Sequence, residues 1–162
     1  MDFDSFFREE AEGLARLCWL LTLDRADASD LAQETMTRAW EHWDELSQPG
    51  SSPRAWVRTV ATNRAASRWR RIRRLRSRLP LIGTPSSVDP AWVVDPAMLH
   101  ALKALPLRQR QVLILRYWGD LTIASCAEML DVSVGTVKQH LARAHAQLAS
   151  DLGPVNLEEM LS

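Results

Sequence analysis

Residues 80–96 carry four prolines, at positions 80, 85, 90 and 96, with Gly83 and the pair Ser86-Ser87 among them. Proline lacks a backbone donor and clashes with a continuing helical turn, so no regular element runs through such a stretch. The segment reads as a linker with 79 residues before it and 66 after it. Bodies this small bury a modest share of their surface, and each needs most of its apolar side chains for a core. Two small modules on a tether are expected.

Both modules read as helical. Phe3, Phe6, Phe7, Leu14, Leu17, Cys18 and Leu21 recur at helical spacing and predict a first helix over residues 3–23, broken at 24–26. A second helix is expected to start at Asp27, which with Asp30 makes an imperfect capping box. It runs to about residue 46, with Leu31, Thr35, Ala39, Trp40 and Trp43 on its inner stripe. Residues 47–52 form a loop, and Ser52-Pro53 is a cap followed by a first-turn proline. The third helix passes through Trp56, Val57, Val60 and Ala61 and fades near residue 79. Beyond the linker, helices are expected over residues 97–105, 107–118, 123–130 and 134–149, with a frayed tail from 150. No segment alternates as a strand would. The predicted fold class is all-α, with helical domains at 1–79 and 97–150, a Pro-rich linker at 80–96 and a tail at 151–162.

The net charge is zero, but it is unevenly distributed: −8 over residues 1–45, +10 over 46–88 and −2 over 89–162. Ten arginines with no interleaved acid repel one another and call for a polyanion, while the acidic block suits a second, basic partner. The start Met1-Asp2-Phe3-Asp4 lacks the basic flank of a secretory signal, and no apolar run approaches the roughly 18 residues of a membrane span. A cytoplasmic protein without membrane insertion is expected. Cys18 and Cys126 lie in apolar surroundings without metal-ligand spacing and read as reduced core thiols. Without an acid pair, a metal cluster or a phosphate-cradling glycine loop, neither an enzyme nor a cofactor is expected.

Residues 122–141 have helix-turn-helix grammar. Ala127 is small where two helices cross, and Leu130, Val132, Val137 and Leu141 are apolar where the turn needs anchoring. Asp131 takes the left-handed position that such a turn requires, and Ser133 caps the second helix. Gly135 leaves room for a backbone or phosphate, and Thr136, Lys138, Gln139, His140 and Arg143 face outward toward a DNA groove.

Two further faces stand out upstream. Asp30, Gln33, Glu34 and Glu41 share one face of the second helix, opposite the tryptophans, and suit a basic partner helix. Arg58, Arg64, Arg68, Arg70 and Arg71 combine with Trp56 and Trp69 on the third helix. Arginine attracts phosphate without regard to sequence, and aromatic rings stack on unpaired bases, so this helix suits a melted strand. Trp56 reads better as core; Trp69 serves either DNA or the closure of the domain.

Ser133-Val134-Gly135-Thr136-Val137-Lys138, preceded by Leu105-Pro106-Leu107-Arg108-Gln109-Arg110-Gln111-Val112-Leu113, resembles the C-terminal domain of bacterial sigma factors of the extracytoplasmic-function group. Asp27-Ala28-Ser29-Asp30-Leu31-Ala32-Gln33-Glu34 with Arg38-Ala39-Trp40 is similar to that group's core-polymerase-binding helix. Trp56-Val57-Arg58-Thr59-Val60-Ala61-Thr62-Asn63 is similar to its promoter-melting helix. Trp19-Leu20-Leu21-Thr22 and Ser67-Arg68-Trp69-Arg70-Arg71 resemble a short actinobacterial subgroup.

The resemblance implies a sigma factor that binds RNA polymerase core and directs promoter-specific initiation. It places Asp30, Gln33 and Glu34 against the β′ clamp helices, with the β flap as a further contact. It places Asn63 and the loop at 47–53 beside a flipped base of the minus-ten element, and the helix-turn-helix on the minus-thirty-five element. It also implies an anti-sigma partner. Ser125 and Cys126 depart from the family's usual Glu and branched aliphatic, and Gln139 and His140 from its usual Ser and Arg, so the promoter preference is this chain's own. The competing reading is a stand-alone helix-turn-helix regulator, which would need a sensor domain that residues 1–79 do not resemble.

Overall fold

The computed structural model describes residues 1–76, 96–119 and 121–153, with the side chains of residues 69, 70 and 72–76 excepted. The chain separates into two compact units, Met1–Val88 and Asp89–Ser162. Every regular element among the described residues is a helix. Residues 80–95 of the expected linker (80–96) and 154–162 of the expected tail (151–162) lie outside the described residues.

The first unit contains α1 (Phe3–Thr22), α2 (Arg25–Glu41), α3 (Trp43–Leu46) and α4 (Pro53–Arg76). Helix α1 packs on both α2 and α4, which also pack on each other. Its core holds Phe6, Leu14, Leu17, Trp19, Leu20 and Leu21 from α1, Leu31 and Ala39 from α2, and Val57 and Ala61 from α4.

The reversal between α1 and α2 is tighter than expected. Leu23 adopts a left-handed conformation (φ 52°, ψ 28°), and its N–H donates to the Trp19 carbonyl at 2.6 Å. Asp24 is therefore already extended, and its Oδ1 accepts from the Asp27 N–H at 2.9 Å. Asp24, not Asp27, is the N-cap, because the reversal takes one residue where the sequence reading allowed three. At the other end, His42 leaves helical geometry (φ −105°, ψ 15°) and divides the single helix expected to residue 46 into α2 and α3.

Trp40 is 61% exposed and does not belong to the inner stripe. Leu31, Thr35 and Ala39 follow one another four residues apart and are fully buried, so the next residue after Ala39 is carried around the helix toward solvent. The Trp40 and Trp43 rings instead stand edge-on to Phe3, at 5.1 and 5.3 Å between centroids. Helix α4 starts as expected, with Pro53 in its first turn and Ser52 Oγ accepting from the Ala55 N–H at 3.4 Å. It is described to Arg76, and its expected end near 79 lies outside the described residues.

The second unit contains α5 (Pro96–Ala104), α6 (Leu107–Tyr117), α7 (Ile123–Leu130) and α8 (Val134–Leu152). Pro96 is the first residue of α5 rather than the last of the linker, a position where its missing N–H costs nothing. Helix α8 packs on α5, α6 and α7 and carries Val137, Leu141, Ala144 and Leu148 into the core. It runs to Leu152 and is not frayed from 150: Leu148 is buried, and the Gln147 amide bonds the Asp151 carboxylate at 3.1 Å in the last turn.

Arg110 is buried on α6, and its Nη1 donates to the Leu102 carbonyl of α5 at 3.5 Å. Burial lowers its pKa to about 10, so it stays charged at neutral pH. Gly119 closes α6 where no other residue fits, because a Cβ there would lie 2.5 Å from the Leu115 carbonyl oxygen.

Leu31→Ala empties the centre of the α1–α2–α4 packing and is expected to destabilise the first unit by about 2–5 kcal/mol. Urea denaturation followed by circular dichroism checks this, and a loss below about 1 kcal/mol would contradict the packing described.

Candidate functional site

In the second unit, α7 and α8 form a helix-turn-helix. Thr122 caps α7 by accepting the Ser125 N–H at 3.1 Å, and the two hydroxyls bond at 2.9 Å. Ser125 thus has a local use in the cap. Cys126 and Ala127 are buried, as the close crossing with α8 needs. Asp131 is left-handed (φ 52°, ψ 52°), as expected, and the Val132 N–H closes the turn on the Ala127 carbonyl at 3.0 Å.

Ser133 Oγ then accepts the Thr136 N–H at 3.0 Å and bonds the Thr136 hydroxyl at 2.8 Å. Ser133 and Thr136 are therefore engaged in starting α8. Lys138, Gln139 and Arg143 are exposed on it. Gly135 is exposed too, and the nearest atom to a Cβ built there is Ser133 Oγ at 3.7 Å, so the fold itself makes no demand for glycine.

His140 is half-buried, and its Nδ1 is buried with no hydrogen-bond partner. Burial, then the charges of Arg143 and Arg108, hold its pKa below the usual 6.5, so the ring is neutral at pH 7. Arg108, in the first turn of α6, is a cation acting on His140 of α8 that the sequence reading passed over; its Nη1 donates to Gln111 Oε1 at 3.4 Å. Only the fold brings it there. His145 faces inward, with Nε2 and the Tyr117 hydroxyl at 3.0 Å, and burial lowers its pKa as well.

In the first unit, α2 presents Asp30 and Gln33 to solvent. This face is not opposite the tryptophans. Gln33 and Trp40 lie two turns apart on one side of α2 and, with Phe3, Phe7, Met36 and Thr37, line a groove of about 380 Å³. Phe7 is 45% exposed at its edge. The apolar part of this surface escaped sequence reasoning because Trp40 and Phe7 look like core residues by type.

Glu34 points elsewhere. Its carboxylate pairs with Arg64 and accepts from Arg68 Nη2 at 3.3 Å, both on α4. Arg68 Nη1 also lies 3.4 Å from the Asp27 carbonyl oxygen and 3.8 Å from its carboxylate. A residue expected at a protein partner and two expected at DNA are thus brought together. Asn63 and Arg71 are exposed on α4, Arg71 two turns after Arg64 on the same side of the helix. Arg58 is half-buried, and so is Trp56, whose ring packs 5.8 Å from His42. The side chains of Trp69 and Arg70 lie outside the described residues. Cys18 and Cys126 are free and buried, as expected. No metal-binding cluster occurs among the described residues, and none of the described helices is long and apolar enough to cross a membrane.

Two family profiles match this chain: "Sigma-70 region 2" over residues 6–75 and "Sigma-70, region 4" over residues 96–148. The RNA polymerase sigma-E factor of Streptomyces avermitilis is 33% identical over 162 residues, covering 98% of this chain and 89% of that protein. The ECF RNA polymerase sigma factor SigL of Mycobacterium tuberculosis is 33% identical over 145 residues, 85% of this chain and 81% of its own length. Among solved structures, the sigma factor RpoE of Bartonella quintana, in complex with the anti-sigma factor NepR, aligns with TM-score 0.80 at 24% identity. That alignment covers 96% of this chain and 99% of RpoE. CnrH, in complex with the cytosolic domain of CnrY, aligns with TM-score 0.62 at 23% identity over 91% and 85% of the two chains. These last two likenesses concern the fold.

His140 and His145 both have folded-state pKa values below 6.5. Near and below that value the unfolded chain binds more protons, so their contribution is full above about pH 6.5 and is lost as pH falls through the folded values. The second unit is expected to melt at a lower temperature at about pH 5 than at about pH 7, and His145→Gln to flatten that slope. Calorimetry across the pH range measures both.

Proposed function

Since the chain belongs to the extracytoplasmic-function group of bacterial RNA polymerase sigma factors, we propose that its two units divide promoter engagement between them. The chain directs RNA polymerase to promoters and supports specific initiation. It supplies specificity and leaves the chemistry of RNA synthesis to the polymerase, in the cytoplasm where polymerase and chromosome meet.

The first unit binds core polymerase through the outer face of α2, where Asp30 and Gln33 meet the β′ clamp helices, while Glu34 is turned aside to α4. The groove beside Gln33 supports this reading: its exposed Phe7 and Trp40 offer an apolar seat next to an acidic and amide edge, which suits a basic amphipathic helix. The same unit opens the minus-ten element. Asn63 and Arg71 lie exposed on α4, and with Arg58, Arg64, Arg68, Trp69 and Arg70 they hold the melted strand by phosphate attraction and stacking.

The second unit reads the minus-thirty-five duplex with α8. Lys138, Gln139 and Arg143 reach the DNA, His140 contacts it as a neutral ring, and Ser133 and Thr136 present the helix N-terminus to a phosphate. This unit also meets the β flap. The domains are residues 1–79 and 97–150, tethered by 80–96, and an anti-sigma factor holds the chain inactive, as NepR is bound to RpoE in the aligned complex.

The observation that carries the proposal is the left-handed turn at Asp131. It sends α8 out with Lys138, Gln139 and Arg143 facing away from a core sealed by Val137, Leu141 and Ala144. Purified chain added to core polymerase should give transcripts from a selected set of promoters, and duplex binding without initiation would overturn the proposal.

Asp30→Arg with Gln33→Ala is expected to weaken core association by about tenfold or more with helicity unchanged, measured by a pull-down titration. Gln139→Ala is expected to relax the preference for one base of the upstream element, a discrimination of about 1–3 kcal/mol, read by promoter selection.

A further inference from the structure

Asp30 and Gln33 stand exposed on α2, whereas Glu34, four residues after Asp30, is turned toward α4. One carboxylate oxygen meets Arg64 and the other meets Arg68. The three side chains are about one-third exposed or less (34%, 31% and 28% for Glu34, Arg64 and Arg68), so salt screens these contacts less than it would a pair on the open surface. Asp27, two turns earlier on α2, holds Arg68 from its other side.

The same two guanidinium groups belong to the set that meets the DNA strand. A phosphate approaching Arg64 or Arg68 must displace the Glu34 carboxylate or endure its repulsion. A basic helix lying along the exposed face of α2, beside Asp30 and Gln33, competes for that carboxylate from the opposite side.

We propose that Glu34 is an electrostatic latch between the two binding faces of the first unit. In the free chain it holds Arg64 and Arg68 against α2. When a basic polymerase helix seats on α2 it draws the carboxylate outward and releases both arginines to the strand. The latch rests on the core-binding and strand-binding roles proposed above, and it makes Glu34 a positioning residue for DNA.

The test compares full-length variants binding a fluorescent single-stranded DNA oligonucleotide, first alone and then with saturating core polymerase. Alone and at low salt, Glu34→Gln is expected to bind about three- to tenfold more tightly than the unaltered chain. The gain shrinks as salt rises. Glu34→Asp, which restores the carboxylate, stays near the unaltered chain, and Asp27→Asn shows a smaller gain in the same direction. Glu12→Gln, which removes an exposed charge from α1, shifts binding far less. With core bound, the advantage of Glu34→Gln disappears because the latch is already open.

Equal binding by Glu34→Gln and the unaltered chain would overturn the latch, as would an equal gain from Glu12→Gln or a gain undiminished by core. The double variant Arg64→Gln, Arg68→Gln separates this failure from that of the underlying reading. If it binds the strand as well as the unaltered chain, these arginines do not touch DNA. If it binds weakly while Glu34→Gln is unchanged, only the latch falls.

Discussion

The rotation of α2 about its own axis decides what the first unit can do, and burial of Leu31, Thr35 and Ala39 sets that rotation. The three lie four apart and face α1 and α4 with no exposed surface. A hydroxyl in such a place would be costly, but Thr35 Oγ1 donates to the Leu31 carbonyl at 2.7 Å and is satisfied within its own helix. With that stripe fixed inward, Asp30, Gln33 and Trp40 must look outward and Glu34 must look sideways at α4. A small turn of the helix would exchange these roles, so the exposed face of α2 is specified by residues buried beneath it.

The second unit depends on a different constraint, a corner. One left-handed residue and one small residue let α7 and α8 cross closely, and paired hydroxyl caps start both helices without any charged group. Behind the corner, Gly119 lets the chain pass against the Leu115 carbonyl, and the buried Arg110 ties α6 to α5. The outward residues of α8 are thereby held on a rigid frame, which suits reading base edges.

Much of this was legible in the sequence because it is local. The Ser52-Pro53 start, the Thr122 and Ser133 caps and the left-handed Asp131 each follow from a few neighbouring residues. What was not legible depends on three-dimensional packing. The cap of α2 moved to Asp24 because Leu23, an unlikely residue for positive φ, makes the reversal. Trp40 was assigned inward by its type, whereas the four-residue spacing of the real stripe excludes it. The pairing of Glu34 with Arg64 and Arg68 joins residues about thirty apart in sequence, and no helical periodicity reports such a contact. Arg108 beside His140 is likewise a product of how α6 meets α8.

The two thiols have a consequence for how this initiation factor hears its surroundings. Burial pushes Cys18 up to about 12 and raises Cys126 as well, so neither supplies the thiolate with which peroxides and disulfides react. Both thiols of the folded chain are thus shut off from that chemistry, buried and protonated within the two helical cores.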